Sequence, residues 1–193
     1  IQKKINKKNY HLITDPKEID DWIKEAEEIG EVAVDTETSS LDPHQADLIG
    51  VSLSTKIGRA CYIPIGHNSK KSINRDLVLK KLKPMLEDSS IKKIGQNIKF
   101  DFIVLFKHGI NISSMEDTML MSYVLDAGKN RHNMDTLAEI HLEHKTIAFK
   151  DLVGTGKKEI NFREVDIEKA KDYAAEDADI TYRLYKKFYK SLQ

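Results

Sequence analysis

The chain has one cysteine, Cys61, in 193 residues. A lone thiol can build neither a disulfide framework nor a zinc finger, and it suits a reducing, cytoplasmic setting. No apolar run approaches the ~18 residues of a membrane helix, and no signal peptide is visible, so no membrane partner is expected. Net charge is lacking too: 31 lysines and arginines balance 31 aspartates and glutamates. That balance argues against a dedicated high-affinity binder of nucleic-acid backbone. It leaves room for an enzyme that grips only a few nucleotides. The interleaved aromatics and arginines of a plain single-strand-binding module are missing. So are internal repeats, low-complexity tracts, and any Ser–His or Cys–His pair that could supply a nucleophile.

What is present is an ordinary soluble mixture, 40% hydrophobic and 32% charged. A chain of this length forms one domain and buries roughly 70% of the surface its unfolded form exposes, so it needs no staples. It begins at Ile1, which suggests a piece cut from a longer protein. Residues 1–193 are expected to form one domain, with residues 1–8, rich in lysine (Lys3, Lys4, Lys7, Lys8), as a solvated lead-in.

Elements alternate along the chain. "EVAVD" (31–35), "LIGVSLST" (48–55), "ACYIPI" (60–65) and "IKKIG" (91–95) read as strands, the second and third joined as a hairpin around Gly58. Helical spacing of apolar residues runs over 74–88, where Pro84 threatens a kink, and over 97–109, closed by Gly109. Further helices are expected over 115–126, 133–144 and about 166–190. The sum is an α/β layered fold with a mixed sheet.

The stretch "VAVDTETSSL" (32–41) carries the first chemical signal. Side chains alternate along a strand, so Asp35 and Glu37 share a face if the extended backbone continues past Asp35. Two like charges side by side raise each other's pKa unless a cation sits between them. A plain strand end running into a polar loop would look the same. In "GQNIKFD" (95–101), Asn97 and Asp101 are four apart, hence on one helix face, and Asp101 stands among apolar residues where an unpartnered acid is costly. In "YAAEDAD" (173–179), Tyr173 and Asp177 repeat that spacing beside alanines that allow close backbone approach. Each alone could be a surface feature. Together they offer hard oxygen ligands from three segments, the donor set of Mg²⁺ or Mn²⁺. Two such ions ~3.5–4 Å apart can clamp both oxygens of a phosphoryl displacement. His141 and His144 are read as surface or packing histidines, and "GTGKK" (154–158) as a flexible basic turn, because Asp151 stands where a phosphate loop needs glycine.

In order and spacing, "DTET", "GQNIKFD" and "YAAEDAD" resemble the three exonuclease motifs of the tyrosine-bearing DEDD superfamily. "YIPIGH", "RHNMDTLAE" and "LEHKTIAF" further resemble the proofreading 3′→5′ exonuclease domain of bacterial DNA polymerase I, and the likeness runs from about residue 9 to the end. It implies a ribonuclease H-like mixed sheet flanked by helices. It also implies 3′→5′ hydrolysis of single-stranded DNA ends to 5′-mononucleotides, two divalent ions (Mg²⁺ or Mn²⁺), a polymerase domain in the same parent chain, and a monomer. By position, Asp35, Glu37, Asp101 and Asp177 would bind metal, with Asp35 shared by both ions and Asp101 acting through water. Tyr173 would orient the attacking water together with Glu37. Leu41 and Phe149 would pack against terminal bases, and Gln96, Asn97 and Arg131 would contact the strand near the scissile phosphate. Phe100 stands where relatives often carry tyrosine. A ribonuclease D-like exoribonuclease and a non-catalytic polymerase scaffold are the alternatives. The text between the motifs fits the polymerase relatives better than the first, and the presence of all four acids speaks against the second.

Overall fold

The computed structural model describes residues 5–193. The expectation for Lys3 and Lys4 falls outside that range. Lys7 and Lys8 are exposed as anticipated, but they belong to a 3-10 turn capped by the Asn6 side chain, and Ile5 packs on the core.

Among the described residues six strands form one sheet: β1 (Tyr10–Leu12), β2 (Glu31–Thr38), β3 (Leu48–Lys56), β4 (Arg59–Pro64), β5 (Lys92–Gly95) and β6 (Met115–Asp117). The order is β1-β4-β3-β2-β5-β6. β2–β3 and β3–β4 pair antiparallel, while β1–β4, β2–β5 and β5–β6 pair parallel. The sheet is therefore mixed, as the sequence suggested. The β3–β4 hairpin turns at Gly58, whose φ of 80° lies in the left-handed region that glycine enters without strain.

Among the described residues seven α-helices cover the sheet: α1 (Glu18–Ile29), α2 (Arg75–Glu87), α3 (Ile98–Phe106), α4 (Thr118–Asp126), α5 (Met134–Leu142), α6 (Phe149–Val153) and α7 (Ile167–Leu192). β2 separates two layers by its own alternation. Val32 and Val34 join a core with α1, α2 and α3, whereas Ala33 faces a second core built from α4, α5 and the C-terminal half of α7. Fully burying one Val or Leu side chain contributes ~1.5–3 kcal/mol, so this alternation holds the strand's register firmly. α7 presents Ala170, Ala174, Ala175 and Ala178, all fully buried, to β1, β3 and β4. These small residues let a 26-residue helix lie close against the sheet.

Two expectations needed correction. The 115–126 segment is a strand followed by a helix, because residues 115–117 pair with β5 and Asp117 then caps α4 through the Met119 N–H. Asn97 is not within α3: it sits ahead of it in the left-handed conformation, φ 61° and ψ 47°, so it does not share a helix face with Asp101. Pro84 lies inside α2, and Pro84 and Lys80, whose carbonyl the proline leaves without its helical donor, both face solvent. β1, α1 and α6 were not anticipated. No helix among the described residues is long and apolar enough to cross a membrane.

Candidate active site

β2 stays extended through Thr38, so Asp35 and Glu37 do project from one face, the face of Ala33 that meets α7. Glu37 pairs across the sheet with Gly50. A Cβ at Gly50 would fall 2.1–2.3 Å from the Tyr62 ring and hydroxyl, so only glycine lets Tyr62 lie there. α7 enters from the same side with Asp177. One oxygen each of Asp35, Glu37 and Asp177 lie within 4.8 Å of one another.

These carboxyls destabilise one another's charge. Burial raises the Asp35 pKa, and Asp101, Glu37 and Asp177 raise it further. Glu37 is raised by burial and then by Asp177 and Asp101. Asp177 is raised by burial, Glu176 and Asp135, opposed by a hydrogen bond that the Tyr173 hydroxyl donates to it. Glu37 is 7% exposed and its Oε1 has no hydrogen-bond partner. Three converging acids with an orphaned oxygen are what a bound cation would satisfy, and an all-oxygen donor set fits a hard divalent ion.

Asp101 reaches β2 from α3. α3 packs in the Val32–Val34 layer, and Asp101 accepts hydrogen bonds from the Thr36 backbone N–H (2.9 Å) and hydroxyl (2.5 Å). Burial pushes its pKa up to about 7 against the pull of those bonds. After burial it is the charge that raises Asp35 most, and it also raises Glu37, although it is not among the three carboxylates that lie within 4.8 Å of one another.

The remaining expected residues are placed unevenly. Gln96 is fully engaged: its Nε2 donates to the His132 carbonyl (2.8 Å) and its Oε1 accepts from Thr118 (2.5 Å). The Asn97 N–H donates to Asp117 Oδ1 (2.9 Å). Arg131 is exposed, and Leu41 stands 95% exposed on the loop after β2. Phe149 opens α6, its ring 5.9 Å from Tyr173. Burial, then Asp177, Glu37 and Asp35, hold the Tyr173 phenol far above its ordinary pKa, so it keeps its proton.

Two buried acids of the third motif escaped the sequence reading. Glu176 binds His144 Nε2 (2.9 Å) and the Ile147 N–H (2.7 Å), tying the segment before Phe149 to α7. Asp179 accepts from Tyr10 (2.8 Å), the Gly58 N–H (2.7 Å) and Arg183 (3.0 Å). Their one signal was the density of acids in "YAAEDAD". His144 is thus a structural partner, and His141 packs edge-on against Phe188 at 4.8 Å, so both histidines act in packing.

Residues 10–193 match the model of a 3′-5′ exonuclease family. The chain is 43% identical over 191 residues to DNA polymerase I of Pseudomonas aeruginosa, covering 96% of this chain and 21% of that protein. With DNA polymerase I of Rhizobium leguminosarum it shares 44% over 197 residues, covering 91% and 19%. It therefore spans about a fifth of the length of these curated relatives. Among solved structures it resembles NrnC of Brucella melitensis with bound Mg²⁺ (27% identity, TM-score 0.65, covering 97% of this chain and 77% of that one). It shares its fold with Escherichia coli RNase D (TM-score 0.70, covering 94% and 44%) at 17% identity. On this match the chain belongs to the 3′-5′ exonuclease family carried by bacterial DNA polymerase I.

Proposed function

We propose that this chain removes nucleotides from single-stranded 3′ ends of DNA, as the proofreading unit of a cytoplasmic DNA polymerase whose polymerase module lies in the same parent chain. The observation that carries the reading is the convergence of Asp35, Glu37 and Asp177 beside the Tyr173 hydroxyl. The DNA polymerase I relatives favour DNA over RNA; a ribonuclease D-like reading has only the fold likeness at 17% identity behind it.

Asp35, Glu37 and Asp177 would hold divalent ions, Mg²⁺ or Mn²⁺, with Asp101 contributing from behind Thr36. Bound ions of this kind supply Lewis-acid stabilisation of the charge that develops on the attacking and leaving oxygens. The protein's own groups do the rest. Tyr173 keeps its proton and so orients the attacking water rather than deprotonating it. Its hydroxyl acts on Asp177, and its oxygen lone pairs are available to hold the water. Leu41 and Phe149, both exposed, would offer apolar faces to the terminal bases, and Asn97 and the exposed Arg131 would contact the strand near the scissile phosphate; Gln96, bonded at both ends of its side chain, would serve there by holding His132 and Thr118 in place.

A paired end hides the base faces these residues need, and opening it costs ~1.4 kcal/mol per base-pair step. Labelled DNA with zero, one, two or four terminal 3′ mismatches, digested with Mg²⁺ and read on a sequencing gel, should be cut faster as mismatches increase. The product should be mononucleotides released from the 3′ end. Equal rates across the series, or attack from the 5′ end, would refute the reading. Asp35→Ala should abolish cleavage by several orders of magnitude and weaken Mn²⁺ binding in calorimetry, with the circular dichroism of the fold unchanged.

A further inference from the structure

Tyr173 and Phe149 are joined by a third ring. Phe162 lies in a 3-10 turn (Phe162–Glu164) and is 3% exposed. Its ring stacks on Phe149 at 6.0 Å and 15°, and meets Tyr173 at 6.1 Å and 57°. Phe149 and Tyr173 meet each other at the same 57°, 5.9 Å apart, so the three rings close a triangle. Ring pairs at these separations and tilts are attractive and orientation-dependent.

The buried corner of that triangle is fixed from behind. His67 packs on Phe162 at 5.4 Å, and its Nε2 is 2.7 Å from the Tyr62 hydroxyl. Burial lowers the His67 pKa to about 4, so the ring is neutral at physiological pH and adds no charge to the stack. The Asn68 N–H donates to the Arg163 carbonyl (2.9 Å), and Asn161 with Glu164 closes a capping box over the turn. The Phe162 ring therefore has little freedom. Phe149, by contrast, is 44% exposed and opens a five-residue helix, free to meet a ligand.

We propose that Phe162 is a positioning residue that couples the two functional aromatics: a terminal base seated on Phe149 presses, through the triangle, on the ring that carries the Tyr173 hydroxyl. Unpaired ends are then favoured twice, once by base contact and once by a better-held Tyr173. This rests on the reading above that Phe149 takes a base and Tyr173 orients the attack.

Phe162→Leu and Phe162→Met keep an apolar filler and delete the ring plane. The expected change is a fall in kcat on single-stranded DNA of about 2- to 10-fold, the weight of one aromatic pair. KM, Mn²⁺ affinity by calorimetry and the kcat on a matched blunt end should move much less. A folded variant whose kcat is unchanged, or falls equally on matched and unpaired ends, overturns the proposal. A second measurement leaves Phe162 untouched. Phe149→Ala and Tyr173→Phe, singly and together, should have non-additive effects on kcat, because each acts through the other's ring. Additive effects overturn the coupling. If Tyr173→Phe alone leaves kcat unchanged, the underlying assignment of Tyr173 fails instead, which separates the two ideas.

Discussion

Replacing Asp101 by asparagine should make the metal-free protein more stable at neutral pH, although it removes a group of the site. The Asp101 carboxyl is 3% exposed and its pKa stands at about 7 in the fold, against ~3.9 in an unfolded chain. For an acid raised in this way the folded state holds the proton more tightly. Its contribution to stability is complete below about pH 4, and is lost as the pH climbs from there to about 7. Roughly three pH units at 1.36 kcal/mol each give a penalty of about 4 kcal/mol at pH 8. Asparagine is isosteric, keeps an oxygen to accept from the Thr36 N–H and hydroxyl, and never ionises. Urea unfolding in EDTA, with wild type and Asp101→Asn compared at each pH from 4 to 8, measures the difference directly. It should be near zero at pH 4 and grow to a few kcal/mol in favour of the variant at pH 8, or ~5–15 °C in Tm for a domain of this size. A variant that is no more stable at pH 8, or a gap that does not change with pH, would refute the reasoning.

Two further outcomes are expected. Tyr173→Phe should lower kcat less than Asp177→Ala and leave Mn²⁺ binding by calorimetry intact, since a protonated phenol orients but does not ligate; loss of Mn²⁺ binding in Tyr173→Phe would show that role to be wrong. Asp179→Ala removes the acceptor shared by Tyr10, Gly58 and Arg183, which should cost ~3–5 kcal/mol, seen as a fall in Tm of ~6–20 °C; a Tm unchanged from wild type would refute the clasp.

The period-two spacing of Asp35 and Glu37 was enough to place both on one face, because register on a strand with two buried faces leaves no choice. Tyr173 and Asp177 followed as readily from the helical repeat, and the alanines around them met the sheet as expected. Asn97 misled because nothing in "GQNIKFD" distinguishes the first residue of a helix from a left-handed residue ahead of it; the deciding contact is with Asp117, 20 residues on. The same Asp117 hid β6, a three-residue strand too short for any periodicity to show. β1 is equally short, and what holds it lies far along the chain: β4, with which it pairs, and Asp179, 169 residues from Tyr10. Gln96 reads in sequence as a free amide, yet both ends of its side chain are spent on His132 and Thr118. Pairings of that kind depend on folds of the chain that no local pattern encodes.

β2 is hydrogen-bonded on both edges, to β3 and to β5, whereas Phe149 and Phe162 sit on a five-residue helix and a single 3-10 turn joined by a glycine-bearing segment. The two halves of the site thus belong to different cooperative units. Amides of β2 should exchange with solvent only in openings that break the sheet, while those of the short helix Phe149–Val153 should exchange through a local opening that leaves the sheet and the buried Phe162 in place. In such an opening the carboxylates stay in register and only the grip on the base is released, so the domain can let go of a strand without dismantling the part of itself that is hardest to rebuild.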